Sequence, residues 1–188
     1  LLLSKDLSIF YGDRCVANGI SLTLNRGDRI ALVGRNGCGK SSLLKLLIGQ
    51  PIAHTGTLEI GSRLTVSYVP QDMSFLSGSA DDFAAESEID ITLFKTILRK
   101  LDFKRTQFTK DMSEFSMGQK KKVLLARSLC QRANLYIWDE PLNYIDVISR
   151  LQIETLILEY KPTMLFVEHD EAFVNDIATK VCRISLNQ

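Results

Sequence analysis

The stretch "RIALVGRNGCGKSSLLKLLIG", Arg29 to Gly49, constrains the fold more than any other part of the chain. The apolar run over Arg29–Gly34 has the length and residue types of a buried strand, and the leucines from about Gly39 to Ile48 recur at helical spacing. Between them, Gly34 is followed by four residues and then Gly39-Lys40-Ser41, the pattern of a loop that wraps phosphate. Glycines let backbone N–H groups turn inward, Lys40 reaches the outer phosphates, the Ser41 hydroxyl binds Mg²⁺, and the helix N-terminus adds a favourable dipole. The candidate nucleotide contacts are therefore Gly34, Asn36, Gly37 and Cys38 in the loop, with Gly39, Lys40, Ser41 and Ser42 at the helix start. Cys38, beside Lys40 and the helix N-terminus, sits where a thiol is expected to be reactive.

The flanking segments fit an α/β core. Leu7–Phe10 and Ile20–Leu24 read as strands, Asn25–Asp28 as a turn, and Leu58–Ile60 and Thr65–Val69 as short strands. Downstream come the strand "LYIW" at Leu135–Trp138, a helix over Val147–Tyr160, the strand Thr163–Glu168, a short helix and the strand "VCRISL". The middle differs in character. Asp72 to Asp90 carries six acids and no Lys or Arg, while Arg99 to Arg127 carries nine bases against three acids. Helical signals dominate there, with Ser79 and Asp90 as N-caps, so a helical subdomain of about residues 72–133 is expected as an insertion into the core.

At 188 residues, 45% hydrophobic and 24% charged, the chain is long enough for one domain to bury a sizeable core. A net charge of +1 gives no compositional reason for a nucleic-acid partner. Cys15, Cys38, Cys130 and Cys182 lack the close spacing of a zinc site and are expected as reduced, cytosolic thiols. With no run of about 18 apolar residues, neither membrane insertion nor a secretory leader is expected. Leu1 in place of Met points to a piece of a longer chain.

Acid chemistry follows the phosphate loop. "LYIWDEP" puts Asp139 at a strand end, where its carboxylate would reach Mg²⁺ through water, and Glu140 next to it, where it would orient an attacking water. His169 follows another strand, on the same rim of a parallel sheet, and would donate to the γ-phosphate. Gln71 in "YVPQD" ends a further strand and would ligate Mg²⁺ or position water; His54 in "PIAHTG" is expected on an ordinary surface loop. A second anion-binding candidate is "FSMGQKKK", Phe115–Lys122, where a Ser and a Gly open a helix. Lys120 to Lys122 are expected on a solvated basic face.

The phosphate loop, Gln71, "FSMGQ", "LYIWDEP", "NYID" at Asn143–Asp146 and "VEHD" at Val167–Asp170 occur in the order and spacing of an ATP-binding-cassette ATPase domain, which the chain resembles over nearly its whole length. The resemblance implies a P-loop NTPase core with an N-terminal antiparallel β subdomain and the inserted helical subdomain, ATP and Mg²⁺ as cofactors, and Tyr11 (or neighbouring Phe10) stacking on adenine. It also implies a head-to-tail pairing with a second cassette, in which Ser116 and the N–H groups of Gly118 and Gln119 cap a nucleotide held by the other domain. Met117 stands where the family pattern has a first glycine. The segments "LYIWDEPLNYIDV" and "YKPTMLFVEHDEAF" look most like the second nucleotide-binding domain of ABC-F proteins, in the branch that protects ribosomes against lincosamide, streptogramin A and pleuromutilin antibiotics. Leu142 and Tyr144 replace that pattern's usual Thr and His. A ribosome is the partner implied for the two-cassette parent; an energising subunit of a membrane transporter and a binding switch with little turnover are the alternatives.

Overall fold

The computed structural model describes residues 1–185, which fall into two units: Leu1–Tyr68 with Ala133–Asp139 and the segment from Lys161, and Val69–Arg132 with Glu140–Tyr160. In the first unit, β1 (Leu2–Tyr11), β2 (Arg14–Leu24) and β4 (Ala53–Ile60) form an antiparallel sheet in the order β2-β1-β4. Its strands carry Leu2, Leu7, Ile9, Ala17, Ile20 and Leu22 into the core at roughly alternate positions. The second sheet runs β5-β6-β7-β3-β8, built from β3 (Arg29–Val33), β5 (Val66–Val69), β6 (Leu135–Asp139), β7 (Met164–Val167) and β8 (Lys180–Arg183). β3 pairs parallel with β7 and with β8, and β6 with β7. α1 (Lys40–Leu47) buries Leu43, Leu44, Leu46 and Leu47 in the same core as Ile30, Leu32, Leu135, Ile137, Leu165 and Val167. α6 (Glu171–Ile177) lies between β7 and β8 in the chain and starts on the Asp170 carboxylate, which accepts the Phe173 N–H at 2.9 Å.

The second unit is helical: α2 (Ala80–Glu86), α3 (Ile91–Lys100), α4 (Met117–Cys130) and α5 (Val147–Tyr160), with single 3₁₀ turns at Arg105–Gln107 and Met112–Glu114. Ser79 and Asp90 cap α2 and α3 through the Asp82 and Leu93 N–H groups, as their sequence positions predict. α3 packs on α4, and Phe103 stands at the centre of an aromatic set with Phe108 and Phe115 at centroid distances of 5.3 and 5.4 Å.

The expected strands are present, but β1 begins at Leu2 rather than Leu7 and β2 at Arg14 rather than Ile20. β4 begins at Ala53 rather than near Leu58, so His54 lies on an exposed strand opposite Ile9 instead of in a loop. The expected last strand extends over Lys180–Arg183, and Leu186 lies outside the described residues.

Candidate nucleotide site

The parallel register aligns the strand ends of the first unit. Asp139 on β6 stands opposite Val167 on β7, Val167 opposite Leu32 on β3, and Leu32 opposite Cys182 on β8. Asp139, the loop from Gly34 and the His169 turn therefore leave the sheet from one edge, where loops of an open α/β sheet bind ligands. A cavity of about 310 Å³ is lined by Gly34, Glu168, His169 and Arg183, so the phosphate loop and His169 face a common space. His169 is exposed; its turn is fixed by buried Glu168, whose carboxylate accepts the His169 N–H at 2.9 Å.

Between β3 and α1 the loop is held from inside. Lys40 is 6% exposed, and its ammonium donates to the Gly34 and Arg35 carbonyls at 2.8 and 3.0 Å. Asn36 and Gly37 form the exposed tip, while Ser41 and Ser42 sit half-buried in the first helical turn. Gly39, at φ 87°, brings the helix start against β2: a Cβ there would lie 2.6 Å from the Val16 oxygen and from the Ala17 Cβ. Cys38 donates its N–H to the Arg35 carbonyl at 3.3 Å, but its side chain is buried. The burial counts against the reactive thiol expected from its position: Cys38 belongs to the core cluster that includes Leu32 and Ile184.

The donor set fits a Mg²⁺–triphosphate. Asp139 is 1% exposed, and its charge, together with the larger effect of burial, pushes the Tyr68 phenol up to about 12. Among the described residues no group of three or more His, Cys, Asp or Glu converges on a metal position. Mg²⁺ would thus take few ligands from this unit, the Ser41 hydroxyl and Asp139, and the rest from phosphate and water. Tyr11 closes β1 and is 48% exposed, whereas Phe10 is half-buried in the sheet opposite Cys15 and Ala53. Of the two, Tyr11 offers the face a base would stack on.

The second unit gathers the remaining candidates. Glu140 has φ 50°, a left-handed conformation uncommon for a residue with a side chain. Its Oε2 accepts from the Gln71 amide at 2.8 Å and also from the Asn143 amide. The Gln71 amide nitrogen is thereby committed to Glu140, and its oxygen is the atom a metal or water would meet. Asn143 was not identified from sequence as a site residue; its signal was a side-chain amide three residues beyond the acid. At the start of α4, Ser116 and Gln119 form a reciprocal cap: the Gln119 N–H reaches the Ser116 hydroxyl at 3.3 Å, and the Ser116 N–H the Gln119 amide oxygen at 2.9 Å. Ser116 remains exposed, with its hydroxyl proton available to donate. Gly118 lies against the Tyr144 carbonyl, 2.6 Å from where its Cβ would stand, so its lack of a side chain is already required within the unit.

The basic face expected of Lys120–Lys122 is corrected most clearly. Only Lys120 is half-buried; Lys121 and Lys122 are 1% and 8% exposed. The Lys121 ammonium donates to the Pro70 carbonyl at 3.2 Å, and Lys122 pairs with Asp146 at 2.6 Å. Burial pushes the Asp146 carboxyl up, but hydrogen bonds from Lys122 and Ser149 outweigh it and hold the group at about 2.

Residues 17–143 match the family model described as ABC transporter. The chain is 36% identical to ATP-binding protein Uup of Escherichia coli, over 94% of this chain and 29% of that protein. It is 31% identical to ATP-binding protein Uup of Caulobacter vibrioides, over 94% and 30%, and 30% identical to ABC transporter F family member 2 of Arabidopsis thaliana, over 96% and 27%. The chain thus spans less than a third of the length of these relatives. Among solved structures, one described as the ATP binding subunit of an ABC transporter superposes with a TM-score of 0.83 at 22% identity, covering 99% of this chain and 88% of that one, a likeness of fold. Among the described residues no helix is long and apolar enough to cross a membrane. With its parallel sheet, phosphate loop and strand-end acids, the chain belongs to the ABC transporter family.

Proposed function

We propose that this chain is one cassette of a cytoplasmic two-cassette ABC-F protein, and that it binds and hydrolyses MgATP at a head-to-tail interface with the other cassette. The observation that carries the reading is the shared strand-end edge, where Gly34 and His169 line one cavity and Asp139 ends the adjacent strand. Lys40 and the loop N–H groups hold the phosphates, Tyr11 stacks on the base, and His169 donates to the terminal phosphate. Ser41 and Asp139 would hold Mg²⁺, with the Gln71 amide oxygen as the further candidate ligand, and the ion would supply charge neutralisation to the phosphate oxygens. Glu140 orients the attacking water and takes its proton. The Ser116–Gln119 cap meets the nucleotide of the partner cassette. The Uup proteins and the Arabidopsis F-family member support the ABC-F assignment. The finer reading, ribosome protection against antibiotics with the ribosome as partner, is supported by the pattern "LYIWDEPLNYIDV".

Two inactive variants test the pairing. Ser116→Arg spoils only the donated half-site and Lys40→Ala only the receiving one, so a mixture should restore one active site in each mixed pair. Hydrolysis by neither variant alone but by the mixture is the expected result; a wild-type chain whose turnover is independent of concentration, without complementation, would refute the shared site. Glu140→Gln should keep ATP binding and slow hydrolysis by about 10² to 10⁴. Turnover raised by ribosomes and not by membrane extract would support the ribosomal role, and the reverse would refute it.

A further inference from the structure

The second unit contains both the Ser116 cap and Glu140, and two buried lysines join them. Lys121 and Lys122 leave α4 in the turn after the cap, on neighbouring positions that project toward different loops. Lys122 holds Asp146 at 2.6 Å, with side-chain exposures of 10% and 46%. Asp146 also accepts from the Ser149 N–H and hydroxyl, both at 2.9 Å, and that hydroxyl lies 2.9 Å from the Leu101 carbonyl oxygen. The end of the Asn143–Asp146 loop is thereby fixed, and its first residue, Asn143, donates to the Glu140 carboxylate. Lys121 holds the Pro70 carbonyl at 3.2 Å, and the next residue, Gln71, donates to the same carboxylate oxygen at 2.8 Å. Two chains of contacts thus start on adjacent residues of one helix and converge on one oxygen atom. The backbone at the receiving end has left-handed φ angles at Glu140 (50°) and Tyr144 (66°), conformations that persist only where surrounding contacts impose them.

We propose that Lys121 and Lys122 are positioning residues for Glu140: through Pro70–Gln71 and Asp146–Asn143 they tie its carboxylate to the helix headed by Ser116. This rests on the reading of Glu140 as the base.

The test is a double-mutant cycle on ATP hydrolysis in the full chain, with the phosphate loop of any second cassette disabled. Lys121→Met, Lys122→Met and Asn143→Ala are each measured alone and with Glu140→Gln. Alone, each should lower kcat by about ten- to a hundredfold, the cost of misplacing a reacting group by about an ångström, with KM for ATP little changed. Lys122→Arg should recover most of the loss. In the Glu140→Gln background the same substitutions should cost less than about twofold more, because the group they act through is already gone. Should Lys122→Met fail to fold, Asp146→Asn breaks the pair from its half-exposed end; at Lys121, Met fills nearly the same buried volume. A wild-type kcat in these variants beside a crippled Glu140→Gln would overturn the inference alone, and so would equal losses in both backgrounds, which indicate structural support only. A wild-type kcat in Glu140→Gln itself would overturn the assignment of the base, and the inference with it.

Discussion

Replacing Gly39 by alanine separates two costs that the phosphate loop imposes on its glycines. Gly37 and Gly39 have nearly the same backbone, φ 79° and 87°, so an alanine at either bears a similar left-handed penalty of about 1–2 kcal/mol. Their surroundings differ. A Cβ on Gly37 meets nothing within 4 Å, whereas one on Gly39 lies 2.6 Å from both the Val16 oxygen and the Ala17 Cβ. Those atoms belong to β2, in the core sheet, and Ala17 is fully buried, so the clash is relieved only by pushing the start of α1 off the strand. Overpacking of this kind costs about 1–3 kcal/mol. A domain of this size loses about 2–4 °C of melting temperature per kcal/mol, so Gly39→Ala should melt about 2–12 °C below Gly37→Ala. Thermal unfolding followed by circular dichroism without nucleotide is the assay. Equal melting temperatures, or a lower one for Gly37→Ala, would refute the argument that contact with β2, rather than backbone conformation alone, requires glycine at position 39.

Two further outcomes follow from ionisation and burial. Asp146 has a folded pKa of about 2 against an ordinary 3.8, so its contribution to stability is complete above about pH 4 and is lost as pH falls toward 2. Because the side chain is 46% exposed, that contribution is screened to about 1 kcal/mol or less. Asp146→Asn should lower the melting temperature at pH 7, and the gap from wild type should close near pH 2; a gap constant with pH would count against the pair. Among the cysteines, Cys15 should alkylate first by mass-spectrometric mapping. Cys38 is 3% exposed, burial and then Asp90 push the Cys130 thiol up to about 11, and burial raises Cys182. Labelling of Cys38 ahead of Cys15 would contradict its burial.

What the sequence disclosed was local in range. The strand–loop–helix at Arg29–Ile48, the caps at Ser79 and Asp90 and the helix Val147–Tyr160 depend on neighbours within a few positions, and all were legible. The early residues of β4 were not, because among the described residues that strand pairs only with β1, and it is exposed nearly throughout, which removes the alternation that marks a half-buried strand. Cys38 is buried in a core that also takes in Ile184, far along the chain. The hold of Asn143 on Glu140 shows in sequence only as a common residue at a common spacing.

Lys121 and Lys122 were the least legible, and the reason bears on what they do. A run of three lysines reads as solvated charge because an ammonium leaves water only at a cost of several kcal/mol unless it is paired and hydrogen-bonded. Lys122 meets that condition with a carboxylate 24 positions downstream, and Lys121 has among its partners a backbone carbonyl, an acceptor every residue carries and no sequence marks. Replacing a whole buried ion pair by apolar residues of similar volume is often neutral or stabilising, and only removal of one partner alone is costly. Burial alone therefore gives no reason for charge at these positions. A carbonyl and a carboxylate held at fixed points do give one: apolar packing lets the loops at Pro70 and Asp146 slide, whereas a short polar contact sets their distance from α4. Both loops deliver an amide to the Glu140 carboxylate, so charge at these two positions is best explained by the placement of that group.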